Sequence, residues 1–501
     1  MSGCSGKLLW EFICVPRLDV ECCLGSWNGS FSLCRCTPMI ELHDVSFQYE
    51  NGSRGVYHVS MRIRPGECVV LTGSSGSGKT TITRLLNGLA PAYYSGTCSG
   101  GITMNGRDMA AMALWETGRL VGSVFQDPQS QFFSSQLPGE VAFACENYGF
   151  PQQEIMRRTD GAIEDFGLEK FRTHALDTLS SGEQQRVAIA AVHALHPGAY
   201  ICDEPTANLD EEGSRHLGDI VARLKAAGNT VVIAEHRLAW LHGIADRYIY
   251  MRNGRIAWVK SRAEVEALPD GVREQWALRC LQTKPMPHLP PPSGKGRPLL
   301  QVSNLGLRKG KAVILENINL SLWQGSVVAL TGRNGAGKTS LALALSGLTR
   351  ETQGTVSVNG EVIPPGKRRK KIWFGANDTG TQFFTGSVTE ELLLGAQYSQ
   401  EVLEQARILL KRLGLYRYRE THPAALSGGE RQRLAIACGI LSQRDLLIFD
   451  EPTSGLDGEN MVLIAEIFRN AADHGKTVLV ITHDAELVQK CCDSCLAIEN
   501  L

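Results

Sequence analysis

Residues 73–80 read GSSGSGKT and residues 332–339 read GRNGAGKT. Glycines followed by a lysine and a threonine, between an apolar strand and a helix, make a cradle for phosphate. The backbone N–H groups of Gly73, Ser74, Ser75, Gly76, Ser77 and Gly78 can close round a β-phosphate at a helix N-terminus, where the dipole favours anions. Lys79 then reaches the β- and γ-phosphates, Thr80 ligates Mg²⁺, and Thr81 continues the helix. Gly332, Arg333, Asn334, Gly335, Ala336, Gly337, Lys338, Thr339 and Ser340 repeat the arrangement. Two such loops, each flanked correctly, leave little room for coincidence.

Acidic residues occur twice in the same way. ICDEPTANLD (201–210) recurs as IFDEPTSGLD (448–457). An apolar run ending in Asp-Glu reads as a buried parallel strand with its carboxylates at the end where nucleotides bind. Asp203 and Asp450 are expected on the Mg²⁺ side. Glu204 and Glu451 are placed to act on an attacking water as general bases. His236 and His483 each end a strand-like run, VVIAEH and VLVITH, where they can contact a γ-phosphate. LSSGE and LSGGE add Ser180, Ser181, Gly182, Glu183 and Ser427, Gly428, Gly429, Glu430. Ser-x-x-Glu before an apolar run is a capping box that starts a helix. A Gly-rich helix start is also an anion site, and the sequence leaves open whose phosphate it meets.

A fourth pair is unequal. VFQDPQSQFF (124–133) and FGANDTGTQFF (374–384) share a Gln-Phe-Phe ending, but where the first has Gln126 the second has Asn377.

These residues require a definite set of elements. ECVVLT (67–72) and SVVALT (326–331) supply the strands before the loops, and Ile82, Leu85, Leu86 and Leu89 mark a helical stripe after the first. The intervals repeat too: Gly182 to Asp203 and Gly429 to Asp450 are both 21 positions, and Asp203 to His236 and Asp450 to His483 are both 33. One domain is written twice. The expected organisation is a first domain over 39–280, a linker over 281–298 and a second domain over 299–501. The linker, LQTKPMPHLPPPSGKGRP, holds six prolines and reads as extended and semi-rigid, reaching on the order of 50 Å. That lets the two copies face one another.

Composition bounds the rest. A chain of 501 residues with 43% hydrophobic and 21% charged residues is globular and too long for one core. A net charge of −1 gives no electrostatic footprint for nucleic acid. No apolar run approaches the ~18 residues that span a bilayer, so a cytoplasmic protein is expected. Six of the fifteen cysteines fall within the first 36 residues, but CC and CxC lack the spacing of a zinc site. Residues 1–38 read as an unstructured or non-native tail, with translation starting at Met39. Cys492 and Cys495 are expected to be buried core thiols.

Together the motifs resemble the ATP-binding cassette (ABC) ATPases, over 39–501 apart from the linker. The resemblance implies two P-loop α/β domains, each with a doubly wound core, a helical subdomain and a small antiparallel sheet, using ATP and Mg²⁺. It implies that the two cassettes of one chain pair head to tail. Lys79 would then work with Ser427, Gly428 and Gly429, and Lys338 with Ser180, Ser181 and Gly182. Gln126 becomes a Q-loop residue linking the Mg²⁺ and water site to the helical subdomain, and Asn377 its counterpart. Asp210 and Asp457 fall in D-loops, and Tyr49 matches the aromatic that stacks on adenine, with about Lys309 at the matching position of the second copy. Asn377, Lys309 and Ser181 would all surround Lys338 and make that site the slower one.

QDPQSQFF, GEVAFACENYG and AEHRL resemble the ATPase subunits of energy-coupling factor transporters, which import vitamins and transition-metal ions. The implied partners are a transmembrane scaffold subunit and a small substrate-capture membrane protein. The implied location is the cytoplasmic face of the membrane, held peripherally. Tandem ATPases of monosaccharide importers share the length and duplication but not QDPxxQFF or EHRL. Soluble ribosome-associated tandem ABC proteins share the cassette order but carry a long charged helical linker.

Overall fold

The computed structural model describes residues 39–501 apart from 53, 54, 208 and 397. The expectations for 1–38 lie outside the described residues. Each copy builds a predominantly parallel sheet and a four-stranded antiparallel sheet. In the first copy the larger sheet runs Arg255–Ser261, Arg247–Arg252, Cys68–Gly73, Thr230–Ala234, Ala199–Asp203, Val121–Val124. In the second it runs Ile372–Gly375, Leu446–Asp450, Thr477–Ile481, Val327–Thr331, Ser494–Ala497. The order is non-sequential, as in a doubly wound fold.

Apolar residues on successive strand positions explain the layering. Val69 and Leu71 face a core shared with Ile40, Phe47 and Val59 of the antiparallel sheet. Cys68 and Val70 face the opposite core, with Val187, Ile189 and Leu217 of the helices. Side chains alternate across a strand, so a continuous apolar run serves both layers. The helix after the first phosphate loop, Lys79–Leu86, buries Ile82, Leu85 and Leu86. Leu89 belongs instead to a separate short helix, because Gly88 adopts a left-handed conformation between the two.

Strand register sets the site. Asp203 pairs with Ala234, and Ala234 with Leu71. Asp450 pairs with Ile481, and Ile481 with Leu330. The phosphate loop, the carboxylates and the histidine turn therefore leave one sheet edge side by side.

The linker lies against the second copy. The Cys495 N–H donates to the Pro290 carbonyl at 3.1 Å, and Arg297 donates to the Gly360 carbonyl at 2.8 Å. Cys492 and Cys495 are half-buried rather than fully buried, while the neighbouring Cys491 is buried.

The two copies also touch directly. A Cβ on Gly458, at the start of helix Gly458–Asp473, would lie 2.4 Å from the Ala277 carbonyl oxygen. Gly458→Val is expected to force the junction apart at a cost of about 1–3 kcal/mol, the usual range for overpacking. A lower melting temperature of the full chain would show this, and an unchanged one would contradict the packing.

Candidate nucleotide site

The phosphate loops have the geometry an anion needs. Gly78 (φ 105°) and Gly337 (φ 95°) are left-handed residues at the helix starts, a conformation that a side chain would strain. Lys79 Nζ donates to the carbonyls of Gly73 and Ser74 at 3.0 and 3.1 Å. Lys338 Nζ donates to those of Gly332 and Arg333 at 2.7 and 2.9 Å. Both ammonium groups sit at the centre of their loops, and burial lowers both pKa values. Ser75, Gly76, Asn334 and Gly335 are exposed at the loop tips, while Ser77 and Thr81 are buried and Ala336 and Ser340 half-buried.

Oxygen ligands converge beside each loop. Thr80 donates to Asp203 Oδ1 at 3.3 Å, and Thr339 to Asp450 Oδ2 at 2.7 Å. Burial pushes Asp203 up to about 6 and raises Asp450. A hydroxyl facing a poorly solvated carboxylate suits a hard divalent cation.

The glutamates that follow are both in the left-handed region, Glu204 at φ 45° and Glu451 at φ 48°. Such a residue costs roughly 1–3 kcal/mol and persists only where its surroundings impose it. Here the N–H of each donates to the adjacent strand, at Ala234 and Ile481 respectively. The turn aims both carboxylates back toward the phosphate loops.

From this point the copies diverge. Gln126 Nε2 donates to Glu204 Oε2 at 3.1 Å, and His236 Nε2 lies 3.2 Å from Glu204 Oε1. Burial opposes the charge of Glu204, but His236 and Lys79 outweigh it and hold the carboxyl below its ordinary range. In the second copy His483 stands 3.8 Å from Glu451 and instead contacts Lys338 Nζ at 3.2 Å and Asn334 Oδ1 at 3.1 Å. Burial pushes Glu451 up to about 7, and its Oε1 has no hydrogen-bond partner. Among the described residues no hydrogen bond joins Asn377 to Glu451. Burial and the Lys338 charge lower His483 to about 4.

The D-loops are unequal as well. Asp457 Oδ2 accepts from the Ser75 N–H at 2.5 Å, so a residue of the second copy closes on the first phosphate loop. Ser454 donates to the Ala207 carbonyl beside it. Asp210 caps its own helix through the Gly213 N–H at 2.8 Å, and no hydrogen bond joins it to the second phosphate loop among the described residues. That second loop borders a cavity of about 1050 Å³ shared with Asp210, Arg237 and Arg279.

The capping boxes form as the sequence requires. Glu183 accepts from the N–H and hydroxyl of Ser180 at 2.9 and 2.8 Å, and Glu430 does the same for Ser427. Ser181 and Gly428 are exposed, and Gly182 and Gly429 half-buried. No hydrogen bond ties these residues to the opposite phosphate loop among the described residues.

Tyr49 differs from its expected role. Its ring is only 8% exposed, set edge-on to Phe47 with centroids 4.8 Å apart. Its hydroxyl meets Thr81 at 3.2 Å and accepts from Arg84 at 3.1 Å. It is close to the loop but offers no open face to a base. Lys309 is exposed at the matching end of strand Leu300–Lys309.

Arg237, Arg279 and Asp484, to which the sequence assigns no role in the site, line the cavity beside the second phosphate loop. The signal available was the residue after each histidine, Arg237 in one copy and Asp484 in the other.

These features define a duplicated P-loop α/β nucleotide-binding protein. The ABC transporter family profile matches residues 56–207 and again 315–454, and the chain belongs to that family. A Treponema denticola protein, provisionally named an ABC transporter ATP-binding protein, is 38% identical over 92% of this chain and 96% of its own. A Bacillus subtilis protein is 30% identical over 92% of this chain and 90% of its own, and its provisional name assigns it to HMP/thiamine import. Archaeal ABCE1, solved with Pelota on the ribosome, shares the fold: TM-score 0.65, 22% identity, 90% of this chain and 76% of that one. The chain is thus an ATP-binding ATPase.

The divergence at Glu204 and Glu451 predicts unequal turnover. Glu204→Gln should remove most steady-state ATP hydrolysis, while Glu451→Gln leaves a substantial fraction. Gln126→Asn shortens the side chain by one C–C bond, ~1.5 Å, and should slow the first site by up to ~100-fold, the cost of misplacement on that scale. Equal losses from the two glutamate substitutions would mean that Asn377 is neutral.

Proposed function

We propose that this chain is the energy-coupling ATPase of an energy-coupling-factor-type importer for a vitamin or a transition-metal ion. It would sit peripherally on the cytoplasmic face of the membrane, bound to a transmembrane scaffold subunit and working with a substrate-capture subunit. The observation that carries this reading is an aromatic side chain held out of the protein at the same place in both copies. Phe133 is 75% exposed and Phe384 80%. Their neighbours Phe132 and Phe383 pack on the cores.

The protein fixes these rings from below. Buried Glu140 accepts from the N–H groups of Phe133 and Ser134, each at 2.8 Å. Buried Glu391 accepts from those of Phe384 and Thr385 at 2.8 and 2.9 Å. Gln131 ties the same loop to Ser123 and Phe125 on and beside the strand that precedes Gln126. A partner gripping Phe133 would therefore pull directly on the loop that holds Glu204. Exposed apolar side chains with rigidly bonded backbones suit a protein interface. The name of the Bacillus subtilis relative supports a vitamin-type cargo. No helix among the described residues is long and apolar enough to cross a membrane, which fits a subunit that relies on membrane partners.

In the catalytic cycle, Lys79 and the loop N–H groups hold the phosphates, and Glu204 accepts the proton of the attacking water. Gln126 and His236 keep that carboxylate ionised and oriented. The donor set fits Mg²⁺, which Thr80, Asp203 and Gln126 would hold in the first site and Thr339 and Asp450 in the second, and which neutralises phosphate charge when bound. The signature residues Ser427, Gly428 and Gly429, and Ser180, Ser181 and Gly182, would close on the opposite nucleotide.

Affinity purification of the chain from detergent-solubilised host membranes should bring down multi-span membrane subunits. Phe133→Asp combined with Phe384→Asp should lose them while ATP binding by the isolated chain persists. Recovery of ribosomal proteins in place of membrane subunits would reject the importer reading.

A further inference from the structure

We infer that Arg279, on the segment that leaves the first copy, is a positioning residue for the hydrolysis site of the second: it fixes the Asp484 carboxylate and through it the turn that carries His483. The inference rests on reading Glu451 and His483 as that site's hydrolytic pair.

Arg279 is 5% exposed and Asp484 7%. Arg279 Nη2 donates to Asp484 Oδ1 at 2.6 Å, and its Nε to Glu486 Oε1 at 3.3 Å. The Cys280 N–H adds a bond to the same Glu486 oxygen at 2.8 Å. Asp484 is the hub of the turn. Its Oδ1 accepts from the N–H groups of Glu486 and Leu487, and its Oδ2 from the Thr453 hydroxyl at 2.7 Å. Thr453 lies two residues beyond Glu451. The Asp484 N–H donates to Thr482 Oγ1 at 3.0 Å, and the Thr482 hydroxyl reaches Glu451 Oε2 at 3.4 Å. One carboxylate thus ties the histidine turn to the glutamate turn.

A buried carboxylate with only neutral donors is poorly compensated, and removing its cation strands the charge. The first copy builds the matching turn on a different carboxylate, Glu235, which is also buried. There Glu235 accepts from Thr206 at 2.6 Å and from the N–H groups of His236 and Arg237, and Arg237 occupies the position of Asp484. The second copy takes its hydrogen-bonded cation, Arg279, from across the junction, and the charge of Arg237 also favours the Asp484 carboxylate. Arg279 is also anchored on the first copy: the Tyr250 hydroxyl donates to the Trp276 carbonyl at 2.6 Å, and Leu281 packs in the first core. Movement between the copies must therefore act on the His483 turn.

The test uses the full chain with Mg²⁺, vanadate and photoreactive azido-ATP, cut in the linker after cross-linking. Arg279→Gln should lower vanadate-trapped label in the 299–501 fragment by about tenfold, within the range for roughly 1 Å of misplacement. Label in 39–280, and labelling of either fragment without vanadate in the cold, should stay within about twofold of the parent. Asp484→Asn should reproduce the selective loss and Arg279→Lys should recover most of the trapping. Equal loss in both fragments, including through misfolding, or no loss in the second, overturns the inference. Absence of a vanadate-dependent increase in label in the second fragment of the unsubstituted chain, or persistence of that vanadate-dependent increase in Glu451→Gln, overturns the site reading and the inference together.

Discussion

The carboxylate of Asp457 closes on the backbone of a phosphate loop 382 positions away, accepting the Ser75 N–H at 2.5 Å. Burial opposes that charge, but His236 and the N–H groups of Asn460 and Ser75 hold Asp457 below its ordinary range. Much else follows from this contact. It sets Gly455 against Gln126 and Glu204, brings Ser454 onto Ala207, and leaves the start of helix Gly458–Asp473 pressed on Ala277. A side chain at Gly458 would crowd this interface, and one at Gly455 would touch Gln126 and Glu204 from a left-handed backbone (φ 67°). The catalytic corner of the first copy is consequently built from both halves of the chain.

Duplication sets up a symmetric pair, and a few substitutions break it. Gln126 reaches Glu204, whereas the shorter Asn377 makes no hydrogen bond to Glu451. Arg237 and Asp484 follow the two histidines with opposite charge, and Arg237 lowers both Glu451 and Asp484 across the junction. Two like copies facing each other would set arginine against arginine, or aspartate against aspartate. Opposite signs favour the unlike pairing. The result is one site whose glutamate is ionised and bonded, and another whose glutamate is pushed up to about 7 and has an unpartnered oxygen.

Local motifs were legible in the sequence because their physics is local. The phosphate loops need glycines at fixed spacing, the capping boxes need Ser and Glu three apart, and the carboxylates end apolar runs that can only be buried strands. The difference between Gln126 and Asn377 was visible as well, since the flanking residues align. What escaped notice depends on contacts between distant segments. Arg279 meets Asp484 across 205 positions, and no local pattern marks Arg279. Tyr49 shows the limit from the other side: its position matched an adenine-stacking aromatic, but packing on Phe47 and bonds to Thr81 and Arg84 take up the ring. Leu89 fitted a helical period that Gly88 interrupts.

The clasp of Asp457 on the Ser75 N–H supports the proposal that the chain closes on nucleotide with its own two halves. Counting trapped nucleotide against molecular mass tests this most directly. The chain carrying Glu204→Gln and Glu451→Gln together, incubated with ATP and Mg²⁺ and measured by light scattering, is predicted to remain one chain and retain two ATP. An obligate two-chain particle under the same conditions would contradict it.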